Sequence, residues 1–417
     1  MIGQHLPPWL RPAGLLLALI NLAACSPVPG GLRIGTLLAL TGDLSQFGPP
    51  MQDAAQLLVD RVNGCGGVLG QPVTLISEDD QTDPAAGVAA MTKLAEVDRV
   101  AGVVGATSSA VTNAALDIAV RNQVVMISPS STSPVFTERA KKGELQGFWF
   151  RTAPPDTFQS QALAQVAQTQ RWKTVGILAI NNDYGRGLVN AFVPALIALG
   201  GQVPSTPVFY DPGATSFDAE IKNALRGRPE ALLLVSYPET GSLILRAAYQ
   251  QGGLDRTQLL LTDGLKDARI AELVGKTPQG RPIVAGAIGT AAAAGGPGEA
   301  DFRKRYQEAF QREPNVYAPN TWDATALLVL AAEAAQSTQG AALKEGMRTV
   351  ANPPGEPVTD VCQALELIRA GREIDFQGAS SDLDFDPQGD VATQYQVWSI
   401  TSDGQVVPKS VVTVGNP

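Results

Sequence analysis

The chain has 417 residues, 44% hydrophobic and 17% charged, with a formal net charge of −9. At roughly 150 residues per domain this length calls for two or more cores, and the composition is that of a globular protein, neither disordered nor membrane-spanning. The acidic balance argues against a nucleic-acid surface, which needs clustered Lys and Arg. The single histidine, His5, falls in the N-terminal leader, so the body of the chain has no His-based acid–base catalysis, Ser-His-Asp triad or His-ligated zinc.

Residues 1–24 read as a secretory signal. Arg11 supplies the positive charge, and the apolar run Leu15–Ile20 is far short of the ~20 residues that span a bilayer. The run ends in Leu22-Ala23-Ala24-Cys25, the layout of a bacterial lipobox. Cys25 is therefore the expected lipidation site, tethering a large body to the outer side of a membrane. Residues 25–31 form a Pro/Gly linker. Only Cys65 and Cys362 then remain, either as a disulfide in an oxidising compartment or as two separate buried thiols.

After the linker, short apolar runs alternate with helical patterns. Strands are expected over Leu32–Leu40, Pro72–Glu78, Val100–Gly105 and Val124–Ser128, with helices over Met51–Asn63, Pro84–Val97 and Val111–Asn122 between them. A Pro-containing break at Ala153-Pro154-Pro155 follows, and the alternation restarts. Helices are expected over Phe158–Thr169, Gly187–Leu199, Phe217–Leu225 and Gly241–Gln250. Strands are expected over Thr174–Ile180, Pro204–Tyr210, Ala231–Tyr237 and Gln258–Thr262. Residues 300–370 read as mostly helical, over Glu299–Phe310, Thr321–Gln336, Ala342–Val350 and Thr359–Ala370. The tail returns to strand over Tyr395–Ile400 and Val406–Val414. This is an α/β chain of two doubly wound, Rossmann-like lobes, and ligands of such sheets bind beyond the carboxyl ends of the strands.

The loops at those strand ends carry the informative residues. Gly105-Ala106-Thr107-Ser108-Ser109 presents hydroxyls and free N–H groups at a helix start, which suit either an N-cap or a bound carboxylate. Ser128-Pro129-Ser130-Ser131-Thr132-Ser133-Pro134 puts a second set of hydroxyls at the neighbouring strand end. In the second half, Asn181-Asn182-Asp183-Tyr184-Gly185 supplies an aromatic. Ser236-Tyr237 and Thr262-Asp263-Gly264 end the next two strands, and Asp263 is placed to neutralise an ammonium. Two apparent signals fail. Gly275-Lys276-Thr277 lacks the leading glycine of a phosphate loop. The run from Asp382 to Asp390 has Pro387 where a calcium loop needs Gly and Thr393 where it needs Glu. No metal, cofactor or enzymatic nucleophile–base pair is expected.

Taken in order, the lipobox, Leu38-Ala39-Leu40-Thr41-Gly42 with Phe47-Gly48, Asn63 to Gly67, Asp79-Asp80, the two hydroxyl loops and Asp183-Tyr184-Gly185 resemble the branched-chain amino-acid (leucine/isoleucine/valine) binding proteins. These are type I periplasmic solute receptors of ABC importers. The resemblance implies lobe 1 from 32–153 and 289–386, lobe 2 from 154–288 and 387–417, and a multi-strand hinge between them. It implies ligand-carboxylate contacts from Ser109, Ser130 and Thr132, walls from Phe47, Tyr184 and Tyr237, and an ammonium partner in Asp263. Asp263 stands where those receptors carry Glu, and Phe47 where they carry Tyr, which bears on side-chain specificity. The expected protein is a monomeric, lipid-anchored, extracytoplasmic receptor passing an aliphatic or neutral amino acid to an ABC permease and its ATPase, with no nucleic-acid partner. A receptor for urea, short amides or another small polar solute, or a regulatory lipoprotein binding a protein, are the alternatives.

Overall fold

A computed structural model describes residues 1–2, 30–392 and 394–415. The leader and Cys25 fall almost entirely outside these residues, and so does the expected lipidation site. The first lobe contains β1 (Arg33–Leu38), α1 (Gly48–Gly64), β2 (Thr74–Asp79), α2 (Pro84–Thr92, running on into a π-helical turn), β3 (Gly102–Gly105), α3 (Ser109–Arg121), β4 (Val125–Ser128), α4 (Val135–Lys141) and β5 (Trp149–Arg151). The second contains α5 (Asp156–Thr169), β6 (Val175–Ile180), α6 (Asp183–Ala198), β7 (Val208–Tyr210), α7 (Asp218–Ala224), β8 (Ala231–Val235), α8 (Pro238–Gln250), β9 (Gln258–Leu261), α9 (Ile270–Val274) and β10 (Ile288–Ala292). The chain then returns to the first lobe with α10 (Glu299–Phe310), α11 (Ala318–Ala334), α12 (Gly340–Ala351), β11 (Glu356–Val358), α13 (Val361–Arg369) and β12 (Ile374–Phe376). It ends in the second lobe with β13 (Tyr395–Ile400) and β14 (Val406–Val412).

The first sheet is parallel throughout, in the order β2-β1-β3-β4-β5. The second runs β14-β13-β10-β9-β8-β6-β7. Its five β7-to-β10 strands are parallel and repeat the same winding, while β13 and β14 close one edge antiparallel. In both sheets the strand order reverses beside the first strand of the lobe, between β1 and β3 and between β6 and β8. That reversal opens a crevice at the strands' carboxyl ends.

Parallel strands covered on both faces read as continuous apolar runs, and β3, β4, β6 and β8 are buried at every residue. In lobe 1 one face packs on α1, α11, α12 and α13 and the other on α2, α3 and α4. The Ala-rich α11 is apolar on all sides because it lies inside the protein, where almost every residue is buried. Among the described residues no helix is long and apolar enough to cross a membrane. Cys65, just past α1, is joined to Cys362 in α13 with Cα atoms 5.9 Å apart, so the bond lies wholly within lobe 1.

The chain changes lobe slightly later than the sequence suggests. The boundary expected at 288/289 falls beyond Ala292, because β10 pairs with β9 and β13 of the second sheet. The boundary expected at 386/387 falls beyond Val391. Gly389 accepts a backbone bond from Arg151, Asp390 binds the Arg151 side chain, and Val391 sits in the lobe 1 core. Strands β5 and β10 went unread because the first has only three residues and the second, Ile-Gly-Thr-Ala-Ala, lacks large apolar side chains. The Asp382–Asp390 run is a turn: Asp386 Oδ1 accepts the N–H groups of Gln388 and Asp390.

Two tests follow from this frame. Replacing Cys362 by Ser is expected to lower stability by about 2–5 kcal/mol, read from denaturant unfolding, with the same loss in wild type under reductant. Asp323 of α11 is wholly buried and accepts from Ala379 N at 2.8 Å, Ser380 N at 2.7 Å and Ser380 Oγ at 2.6 Å. Burial nevertheless outweighs these bonds and pushes its carboxyl up to about 6. A raised acid favours the fold while protonated and loses that contribution as pH climbs through the raised value. Wild-type stability relative to Asp323→Asn should therefore fall by up to about 3 kcal/mol between pH 4 and pH 7, measured by thermal melts.

Candidate functional site

The loops beyond β1, β3 and β4 meet those beyond β6, β8 and β9 across the cleft. Three local features set the first-lobe wall. Gly105 ends β3 at φ +144°, with the Leu37 carbonyl 2.1 Å from where a Cβ would stand, so no side chain fits there. Ser108 caps α3 by accepting from Val111 N, which leaves Ser109 as the first helical residue with its hydroxyl beside the cleft. Ser130 Oγ donates to the Thr107 carbonyl at 2.9 Å and Thr107 Oγ1 accepts from Ala39 N at 3.0 Å, lacing the three loops together. Leu44 and Phe47 form the apolar part of this wall.

The second-lobe wall is aromatic and acidic. Asn182 caps α6 through Gly185 N, so Tyr184 lies in the first turn of a helix that starts earlier than expected. The glycines at 185 and 187 lower helix propensity enough to disguise that start. Tyr184 stacks on Tyr237, ring centroids 5.8 Å apart and 9° from parallel. Asp263 lies in a single helical turn after β9. Its neighbour Gly264 has the Ser236 carbonyl 2.6 Å from a would-be Cβ, which again admits only glycine. Tyr184 OH donates to Asp263 Oδ1 at 2.9 Å and approaches Thr262 Oγ1 at 2.8 Å.

Tyr317, just before α11 in lobe 1, completes the enclosure. Its hydroxyl donates to Asp263 Oδ2 across the cleft, and its ring meets Phe47 edge-on at 5.6 Å. Further links hold the lobes together. Thr240 N and Oγ1 donate to Asp43 at 2.9 and 2.7 Å, Gln46 Nε2 to Glu239 at 2.6 Å, and Ser133 Oγ to the Asp183 carbonyl at 2.8 Å. Between the walls the centre of a water-sized sphere can visit only about 20 Å³. This is a closed cleft, well below the size of an ordinary ligand pocket. A wider groove of about 720 Å³ runs along the flank. There, Arg303 is paired with Glu299 and Glu313, Arg312 with Asp53, and Lys266 with Gln396, so its cations are already engaged.

The sequence from 31 to 372 matches the profile of the family described as periplasmic binding protein. The chain belongs to that family. Its relatives include Leu/Ile/Val-binding proteins. It is 27% identical over 388 residues to a Leu/Ile/Val-binding protein homolog of Brucella abortus, covering 90% of this chain and 92% of that one. It is 26% identical over 383 residues, 89% and 88% of the two chains, to a chemotactic signal transduction system substrate-binding protein of Halobacterium salinarum. The crystal structure of a leucine-binding protein from Thermotoga maritima superimposes with a TM-score of 0.77 at 27% identity, covering 91% of this chain and 98% of that one. These relatives are binding proteins rather than enzymes, and family membership implies an extracytoplasmic protein.

Of the seven ligand residues expected in this periplasmic binding protein, Phe47, Ser109, Ser130, Tyr184, Tyr237 and Asp263 line one space. Thr132 is buried but stands outside that lining. Its hydroxyl lies beside the Asp156 carboxyl without hydrogen-bond geometry and has no partner. Sequence reasoning missed Tyr317, which lines the space but sits in the returning segment far from the other motifs. Deleting the Tyr317 hydroxyl in Tyr317→Phe removes one lobe-to-lobe bond. The unliganded protein should then open further, seen as a larger radius of gyration by solution scattering.

Proposed function

We propose that the protein is an extracytoplasmic receptor that closes over an aliphatic or neutral amino acid and hands it to a membrane partner, an ABC permease with its ATPase. In this reading Cys25 carries the lipid that keeps the receptor at the membrane. The observation that supports it best is the opposition of unlike chemistry across one small space. Hydroxyls and the start of α3 in lobe 1 suit a carboxylate, and the carboxylate of Asp263 in lobe 2 suits an ammonium. Ser109 and Ser130 would receive the α-carboxylate and Asp263 the ammonium, while Leu44, Phe47, Tyr184 and Tyr237 would surround a short apolar side chain. A ligand that contacts both walls binds the closed form more tightly than the open one, and that difference drives closure.

The likeness to a chemotactic substrate-binding protein favours a second destination for the same complex, a membrane-bound signal transducer. Both destinations use the closed form and leave the cleft chemistry unchanged.

Calorimetric titration of the protein from Ser26 onward with the twenty amino acids, urea and small amides tests the reading. One or more aliphatic or neutral amino acids should bind at a single site. Asp263→Asn should weaken that binding by ~30-fold or more, the usual loss when a buried charge loses its partner. Heat from urea or amides alone, unaffected by Asp263→Asn, would shift the assignment to a neutral solute. No heat from any of them would overturn it.

A further inference from the structure

Behind the lining described above lies a second carboxyl. Asp156 opens α5 where the chain first crosses between the lobes, and it is wholly buried. Its backbone N–H donates to the Thr132 carbonyl at 2.8 Å, yet both side-chain oxygens lack a hydrogen-bond partner. Two adjoining hydroxyls, Thr132 Oγ1 and Tyr395 OH, are buried and unpartnered as well. Orphaned polar groups of this kind are costly and rare, and three of them side by side mark a place built for something else to bind.

The charges facing Asp156 say what that is. They come from Asp263 beyond β9, Arg151 of β5, and the phenols of Tyr184 in α6, Tyr317 before α11 and Tyr395 in β13. Burial holds all three phenols in their neutral, donating form. Arg151 is the only cation among them, and its guanidinium is already used. Nε donates to Asp390 at 2.7 Å, Nη1 to the Ser131 and Ser133 carbonyls at 3.2 and 2.9 Å, and Nη2 to Thr137 at 2.8 Å. Lys266 faces Asp263, with its ammonium bonded to the Gln396 amide, but among the described residues the engaged Arg151 is the only cation that faces Asp156, which leaves that carboxyl open to a cationic partner from outside the chain.

We propose that Asp156 is a second acidic partner of the ligand's cationic nitrogen, which is held between Asp156 and Asp263. This deepens the amino-acid reading and rests on it. The ligand class follows from counting donors. A primary ammonium has three N–H bonds. Asp263 has spare lone pairs beyond those used by Tyr184 and Tyr317, while Asp156 and Thr132 Oγ1 lie beside each other without hydrogen-bond geometry and have no other partner. A neutral amide lacks the charge, and a quaternary amine lacks the donors. Without ligand, burial and then the charge of Asp263 push the Asp156 carboxyl well above the usual range, so it carries its own proton. Binding must then release it: Asp156–COOH and R–NH3⁺ become the pair Asp156–COO⁻ with R–NH3⁺, and one H⁺ leaves to the buffer. Affinity accordingly rises with pH until Asp156 ionises in the free receptor.

The test is titration of wild type and Asp156→Asn with leucine, or with whichever amino acid gives the largest heat, in two buffers of different ionisation enthalpy. Circular dichroism checks that the variant is folded. Wild type should release close to one proton per ligand. Asp156→Asn should release none and bind ~30-fold or more weakly, while any binding of 4-methylpentanoate, which lacks the nitrogen, should be the same in both proteins. If wild type releases no proton, or if the variant binds within two-fold of wild type, Asp156 is a structural acid and the proposal falls while the amino-acid reading stands. Should the variant not fold, the wild-type proton count alone decides. Should no amino acid bind, 3-methylbutylamine replaces it. Proton-coupled binding lost in Asp156→Asn would then support Asp156 and end the amino-acid reading, and no binding would end both.

Discussion

The buried guanidinium of Arg151 is the interaction on which the cleft's order depends. It stands at the end of β5 with no exposure, and it gathers Asp390, two carbonyls of the Ser128–Pro134 loop and the Thr137 hydroxyl around one charge. The returning chain near Asp390, the hydroxyl loop and the first lobe crossing are thereby held in one register. A fully satisfied ion pair of this sort fixes geometry more than it adds stability. Its donors are spent on these partners, so the neighbouring Asp156 carboxyl is left without a hydrogen bond from it.

Topology does the rest. Parallel strands need crossover connections, so every loop that follows a strand emerges at the same edge of its sheet. Both lobes wind in the same sense, and their two crevices face each other. The site is therefore an assembly of loop starts from six strands rather than a motif. The apolar core of lobe 2 runs unbroken through Tyr184 and Tyr237 into Leu44, Phe47 and Tyr317 of lobe 1, as expected for lobes pressed shut. Cross-cleft hydrogen bonds between Asp43 and Thr240 and between Tyr317 and Asp263 are exposed to competition by water as the lobes part. They favour closure without making it permanent.

Most of the architecture was legible in the sequence because fully buried parallel strands leave runs such as Val-Gly-Ile-Leu-Ala-Ile, and because the crossover helices carry a clear apolar stripe. Strands stabilised mainly by their neighbours were not legible. Residues Ile288–Ala292 become a strand because β9 and β13 flank them, not because of their side chains. The same distinction separates the site residues. Phe47, Ser109, Ser130, Tyr184, Tyr237 and Asp263 follow strands directly, so their convergence follows from the winding. Tyr317 lies in the returning segment before α11 and Asp156 at the first lobe crossing, and no local pattern records the path of either. Thr132, expected as a ligand contact from its hydroxyl-rich loop, stands behind the lining with its side chain beside Asp156.

The chain crosses between lobes three times, near Ala153–Asp156, beyond Ala292 and beyond Val391. Neither lobe is a single stretch of sequence, and their histories during synthesis differ. The five parallel strands of lobe 2 come from one continuous segment and can pair before the rest exists. The first sheet is likewise made early, but α1 alone covers one of its faces until α11, α12 and α13 arrive. Its disulfide spans 297 residues, and its Arg151–Asp390 pair must wait longer still. Through most of synthesis the half-built first lobe exposes apolar surface that α11, α12 and α13 cover only later, which makes it the part of the molecule most open to misassembly.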